Sequence, residues 1–260
     1  MIRVAAVGDI HMGPESQGVL RPSFETLPDC ADVLLLAGDL TRHGTPDEAQ
    51  VVAREIKDLG VPVVAVLGNH DHHDDRPDEV SAILRDAGAH VLEGQAAVVT
   101  GGDGYRIGVA GTKGFGGGFV GRCAGEFGEP LMKEFVRYSR RCADALRDSL
   151  RELDAWGCDA RIALTHFSPV PDTLAGEPLE IYPFLGSYLL AEAIDTAGAD
   201  LAVHGHAHAG TEHGMTGGGV KVRNVAQPVI GRAFHVYHLP EREPAPVPAG
   251  GGVPDGTSPG

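Results

Sequence analysis

Val33-Leu34-Leu35-Leu36-Ala37-Gly38-Asp39 is an unbroken apolar run that stops at a glycine and a carboxylate. No polar residue alternates within it, which predicts a strand covered on both faces, as in a parallel sheet carrying helices. The same pattern recurs along the chain. Val4 to Val7 runs into Gly8-Asp9-Ile10-His11, and Val63 to Leu67 runs into Gly68-Asn69-His70-Asp71. Ile162 to Leu164 ends in Thr165-His166, and Leu201 to Val203 ends in His204-Gly205-His206-Ala207-His208. Apolar strands from distant parts of the chain thus terminate in carboxylate, carboxamide and imidazole side chains.

Helix-length segments separate these runs. Pro46 to Leu59 carries apolar residues at helical spacing, with Thr45 as its N-cap and Gly60 as its stop. Glu129-Pro130 opens a longer amphipathic segment, in which Leu131, Phe135, Tyr138, Cys142, Ala145, Ser149 and Leu153 recur every three or four residues before Gly157. Ala96 to Ala110, centred on Gly101-Gly102-Asp103-Gly104, reads as a β-hairpin, and Gly217-Gly218-Gly219 turns a second one. Glycines crowd residues 111 to 128, which predicts a mobile loop bordering the functional site. Residues 1–239 read as one α/β catalytic domain and 240–260, rich in Pro, Gly and Ala, as a disordered tail.

Composition narrows the classes. The chain of 260 residues, 42% hydrophobic and 22% charged, has the make-up of an enzyme-sized globular domain. Its formal charge of -15 argues against a broad nucleic-acid-binding surface. It leaves a small phosphoester substrate open, because bound cations overcompensate local carboxylates. The four cysteines, Cys30, Cys123, Cys142 and Cys158, form no Cys-x-x-Cys pair and predict free, mostly buried thiols. No apolar stretch approaches the ~20 residues of a membrane span and no secretory signal opens the chain, so a cytoplasmic location without membrane association is expected.

The strand-end residues form a donor set suited to hard cations of the manganese and iron type. Asp9 and His11 lie two apart, as do His206 and His208, so an extended backbone would aim each pair to one side. Asp39 offers two oxygens able to bridge two ions, Asn69 a neutral carbonyl oxygen, and His166 an imidazole. Turn chemistry explains any one Asp or Asn at a strand end. It does not explain why successive apolar runs should all end in metal-competent residues.

Asp9-Ile10-His11, Gly38-Asp39, Gly68-Asn69-His70-Asp71, His166 and Gly205-His206-Ala207-His208 resemble, in order, the motif blocks of the calcineurin-like metallophosphoesterases. The resemblance covers roughly residues 1 to 210. It implies a four-layer α/β/β/α sandwich of two packed mixed sheets flanked by helices. It further implies one metal ion on Asp9, His11, Asp39 and His208, and a second on Asp39, Asn69, His166 and His206. The ions would be divalent or of mixed valence, manganese or iron, with zinc as the alternative.

That resemblance implies a binuclear hydrolase in which a metal-bridging hydroxide attacks phosphorus in line. His70 would contact the phosphoryl group or protonate the leaving oxygen, and Asp71 would orient its imidazole. The stretch Gly38-Asp39-Leu40-Thr41 followed by Gly44 resembles the cyclic-nucleotide phosphodiesterase branch, which favours a phosphodiesterase acting on a small molecule such as a cyclic nucleotide. A phosphomonoesterase is the alternative, with Lys113, Arg42 or Arg122 receiving the extra charge. A non-catalytic scaffold of the same fold should have lost ligands, whereas every motif position is filled. His204 is expected to support the ligands from behind. His72 and His73 sit in the acidic run Asp71 to Asp75, which suits a solvated loop.

Overall fold

In the computed structural model, which describes residues 1–240, two mixed sheets pack face to face between two helical layers. The first sheet has the order β13-β1-β2-β3-β4, built from β1 (Ile2–Val7), β2 (Val33–Ala37), β3 (Val63–Val66), β4 (Ala89–Val91) and β13 (His235–Leu239). Strands β1 to β4 are parallel, and β13 lies antiparallel on β1. The second sheet has the order β11-β12-β10-β9-β6-β5. It comprises β5 (Gln95–Thr100), β6 (Arg106–Thr112), β9 (Ala160–Thr165), β10 (Leu201–His204), β11 (His213–Met215) and β12 (Lys221–Asn224). A two-stranded ribbon, β7 (Gly118–Phe119) with β8 (Arg122–Cys123), stands apart from both.

Strand parity explains the continuous apolar runs. Val33, Leu35 and Ala37 of β2 face the core between the sheets, where they meet Ile107, Val109, Ile162, Leu164 and Val203. Leu34 and Leu36 point the other way, into a core shared with Val52, Ile56, Val80 and Leu84. Those residues belong to α3 (Pro46–Ile56) and α4 (Pro77–Asp86), which follow the short α1 (Arg21–Phe24) and α2 (Leu27–Cys30). On the outer face of the second sheet, Ala110, Ala163, Ala202 and Val222 pack on Leu146, Leu150, Leu153, Leu190 and Ile194. These come from α5 (Pro130–Ala155) and α7 (Tyr188–Ala197); α6 (Tyr182–Leu185) and α8 (Gln227–Ile230) complete the helices. Both faces of each sheet are therefore covered, and the layers run α/β/β/α.

Local signals act as read. The Thr45 hydroxyl accepts from Glu48 N–H at 3.3 Å, and the Glu48 carboxylate returns to Thr45 N–H at 3.5 Å, a reciprocal cap that opens α3. That helix stops at Ile56, one turn short of the predicted Leu59. Strands β5 and β6 form the first hairpin and β11 and β12 the second. Residues 111–128 are less of a free loop than predicted. Gly117 N–H donates to Pro183 C=O at 2.7 Å and Gly118 N–H to Gly186 C=O at 2.9 Å, tying the glycine-rich segment to α6. The four thiols are free, but only Cys142 is buried and Cys123 is exposed. Among the described residues no helix is long and apolar enough to cross a membrane. The predicted tail, apart from Pro240, lies outside the described residues.

Candidate metal centre

The C-terminal ends of β1, β2, β3, β9 and β10 converge where the two sheets meet, the end of a parallel sheet at which ligands bind in open α/β folds. The sheets are stitched together there. Gly8 N–H donates to Val225 C=O at 2.9 Å and His166 Nδ1 to Ala37 C=O at 2.9 Å across the sheets, while Gly205 N–H donates to His166 C=O at 3.2 Å within the second sheet. All seven predicted ligands lie at this junction. One ligand atom each from Asp9, His11, Asp39 and His208 falls within 4.8 Å of the others, as do atoms of Asp39, His166 and His206. Asp39 belongs to both groups. Asn69 joins the second, its Oδ1 standing 2.9 Å from His166 Nε2.

The loops achieve this by leaving the extended conformation. Asp9, His11, Asp39 and His206 all have positive φ, from 41° to 70°, a region that residues other than glycine seldom occupy. Strand parity is thus not what brings Asp9 and His11 together, contrary to the extended-chain expectation. Nor does the His206-Ala207-His208 pair act as one unit, since His208 joins the first group and His206 the second. Two glycines admit the close approach. A Cβ at Gly68 would fall on the Asp39 carboxylate, and one at Gly205 would fall on Asp9 Oδ2.

The donor set suits a pair of cations. His166 Nδ1 faces a carbonyl and must donate to it, so its Nε2 presents a lone pair to Asn69 Oδ1 at 2.9 Å and to Asp39 Oδ1 at 3.3 Å. Three electron-rich atoms pointing at one another require a proton or a cation between them. His208 Nε2 lies 2.9 Å from Asp9 Oδ1 and 3.5 Å from His11 Nε2, which repeats the situation in the first group. His206 Nε2 faces the Phe184 carbonyl at 3.2 Å, leaving Nδ1 turned to the site. Imidazoles anchored by one nitrogen on a carbonyl with the other free are the usual form of a metal-ligating histidine.

The electrostatics follow from the same contacts. Burial pushes the Asp39 carboxyl up, but His166 and then His70 more than reverse this and hold it well below the usual carboxylate range. Burial likewise lowers His166, yet the Asp39 charge raises it to about 9. Without a cation these two groups serve as each other's counter-ion. Burial, with the His166 charge adding to it, keeps His206 near 3 and His204 near 4, both neutral at physiological pH.

His70 and Asp71 separate in role. The His70 imidazole donates from Nδ1 to the Arg42 carbonyl at 2.8 Å and places Nε2 4.0 Å from Asp39 Oδ2, with its side chain 44% exposed. Asp71 does not meet that imidazole, so the orienting role predicted for it passes to the Arg42 carbonyl. Fully buried, Asp71 accepts from Leu40 N–H at 3.2 Å, Thr41 N–H at 2.8 Å, Thr41 Oγ1 at 2.6 Å and Gly68 N–H at 2.8 Å. It binds the loops after β2 and β3 to each other. Burial and the Asp39 charge raise its carboxyl, and the donors oppose that shift.

His204 lies behind the ligands as predicted, with Nδ1 on Gly205 C=O at 2.7 Å and Nε2 on Thr173 Oγ1 at 2.8 Å. Arg42 is paired with Glu15 and Arg122 stands on the exposed β8, so neither faces the cluster as an unpaired charge. Two contributors carried no sequence signal. Phe167 packs its ring, tilted by 42°, with its centroid 4.4 Å from that of His206, and Phe184 supplies a backbone carbonyl, which no side-chain pattern reports.

Comparison with known proteins agrees with this layout. Residues 2–210 match the calcineurin-like phosphoesterase family. A protein of Synechococcus sp. described as a probable cyclic nucleotide phosphodiesterase is 31% identical over 80 residues, 27% of this chain and 31% of that protein. One of Fibrobacter succinogenes, described in the same terms, is 32% identical over 82 residues, 28% of this chain and 32% of its own. The matched segments therefore span under a third of these curated relatives. Among solved structures, a putative 5'-nucleotidase from Staphylococcus aureus superposes with a TM-score of 0.54 at 17% identity, over 86% of this chain and 48% of that one. At that identity the likeness concerns the fold.

Proposed function

The chain belongs to the calcineurin-like phosphoesterase family, and from that premise we propose that it is a binuclear metal-dependent phosphoesterase. Its catalytic unit would be residues 1–239, and its substrate a small-molecule phosphodiester such as a cyclic nucleotide. The observation that carries the reading is the sharing of Asp39 between two groups of convergent ligand atoms at the junction of the sheets. In the proposal Asp9, His11, Asp39 and His208 hold one ion, and Asp39, Asn69, His166 and His206 the other. Manganese or iron suits this oxygen and imidazole set, with zinc as the alternative. When bound, such a pair supplies Lewis acidity toward the phosphoryl oxygens and a water acidic enough to ionise near neutral pH.

The chain's own residues do the rest. His70, fixed by Nδ1–H on the Arg42 carbonyl, keeps Nε2 toward the site and delivers a proton from it to the departing oxygen. Asp71 positions rather than reacts, because its hydrogen bonds hold the Asp39 and Asn69 loops at fixed separation. The names of the curated relatives support the diester choice.

The test is hydrolysis of bis-p-nitrophenyl phosphate and of cyclic nucleotides by manganese-loaded protein, with metal content measured alongside. Two ions per chain and turnover are expected. Metal-loaded protein that cleaves no phosphoester would sink the reading. For His70→Ala, cleavage of an alkyl ester with a poor leaving group should fall about 10²-fold while the activated nitrophenyl ester suffers less; equal losses would remove the acid role.

A further inference from the structure

Lys113 follows β6 at the edge of the centre and is 7% exposed. Its backbone belongs to the scaffold of the site, since its carbonyl accepts from both His166 N–H and Phe167 N–H at 3.0 Å. Its side chain has a different environment. The ammonium lies over three aromatic rings, 5.2 Å from the centroid of Phe115, 5.5 Å from Tyr138 and 5.8 Å from Phe167. Among the described residues it has no hydrogen-bond acceptor and no carboxylate within 4.0 Å. It is nevertheless not among the polar atoms sealed from solvent.

A lysine whose stem is buried normally either pairs with a carboxylate or carries its charge to open water, because an uncompensated ammonium in an apolar wall is costly. Lys113 does neither completely. Three ring faces compensate part of the charge, and the Cys142, Glu93 and Asp39 side chains, none within ion-pair distance, contribute at longer range. The cage adjoins the centre. Phe167, one wall of the cage, packs against His206 with ring centroids 4.4 Å apart, which puts the ammonium no more than about 10 Å from that imidazole. His72 Nε2 is sealed and partnerless, and burial and then the Lys113 charge lower that imidazole.

Resting on the phosphoesterase reading, we infer that Lys113 is a specificity-determining residue that receives a second anionic group of the substrate. The preferred substrates are then phosphoesters carrying a further phosphate or carboxylate a few bonds from the scissile ester. Phe115, Phe167 and Tyr138 hold the ammonium in place and exclude water around it, so the charge acts through a medium of lowered dielectric.

Binding and turnover test this separately. Thymidine 3',5'-bisphosphate and thymidine 5'-monophosphate are titrated calorimetrically into metal-loaded protein, and the p-nitrophenyl esters of thymidine 5'-phosphate with and without a 3'-phosphate are assayed. Wild-type protein should bind the bisphosphate about tenfold more tightly and show a similar preference in kcat/KM, expressed in KM and weakened by salt. Lys113→Met keeps the stem in the cage and should abolish the preference; Lys113→Arg should retain it. Equal affinities for the two ligands in the wild type overturn the inference. So does a Lys113→Met variant that loses both ligands equally, which would make the lysine structural. If neither ester is cleaved but the affinity difference is present and depends on Lys113, the phosphoesterase reading fails and the anion site stands.

Discussion

Gly68→Ala changes ligand placement without changing any ligand. Gly68 does not have positive φ, so alanine meets no backbone penalty there and the effect is steric alone. The added Cβ would fall on Asp39 N and Oδ1 and stand 2.8 Å from Asp39 Cγ, where relaxed heavy-atom contacts are roughly 3.5–4.0 Å. Neither loop yields easily, because Gly68 N–H is held by Asp71 Oδ2 and Asp39 Oδ1 by His70 N–H, both at 2.8 Å. The Asp39 carboxylate must therefore move by about 1 Å. Overpacking of this kind costs about 1–3 kcal/mol, equivalent to a fall of roughly 2–10 °C in Tm for a domain of this size. A misplacement of ~1 Å at a reacting centre costs on the order of 10²-fold in rate. Since Asp39 contributes to both groups, both ions should loosen. Metal analysis should find fewer than two per chain, and kcat/KM on bis-p-nitrophenyl phosphate should fall about 100-fold, with unchanged far-ultraviolet circular dichroism. Full metal content with activity within about threefold of wild type would refute the claim that this glycine is required by the Asp39 contact.

Three further outcomes are expected. Chelation should abolish hydrolysis and lower Tm by roughly 5–10 °C, since a ligand held at a hundred times its dissociation constant adds about 2.7 kcal/mol; identical melting of stripped and loaded protein would contradict a metal held by the folded state. The His72 imidazole is kept down to about 4, by burial first and the Lys113 charge second, while an unfolded histidine titrates near 6.5. Between these values acidification protonates the unfolded chain before the folded one, so stability present above about 6.5 is lost toward 4. Partial exposure limits the loss to about 1–2 kcal/mol, and His72→Phe should remove it in urea unfolding; equal acid sensitivity in both proteins would deny it. Thr45→Ala deletes the cap of α3 and should cost about 1 kcal/mol, read as a drop of roughly 2–4 °C in Tm; an unchanged midpoint would show that the cap is dispensable.

Much of this protein was legible in one dimension, for identifiable reasons. A strand covered on both faces must be apolar at every position, so Val33 to Ala37 announced its layer between helix and sheet before any partner was known. A helix start is a local arrangement of a few residues, so Thr45 and Glu48 wrote the opening of α3 into the sequence. Metal-type side chains at successive strand ends were visible because each lies directly after its apolar run. The glycine-rich stretch misled, since glycine content reports conformational freedom and says nothing of carbonyl partners, here Pro183 and Gly186, supplied from far along the chain.

The candidate site divides along the same line. The residue types of the cage and their order follow from the sequence alone, because metal chemistry restricts the donors and strand ends supply the positions. The division of those donors into two groups sharing Asp39 is a matter of three-dimensional placement. It depends on left-handed backbone at Asp9, His11, Asp39 and His206, and on two sheets packed face to face. The turning of Asp71 away from His70, the Arg42 carbonyl in its place, and the aromatic cage around Lys113 are likewise tertiary facts. The physical reason is common to all of them. Sequence states which groups a chain can offer, whereas distance and burial, which set the strength of every charge and hydrogen bond among them, exist only once distant segments have packed.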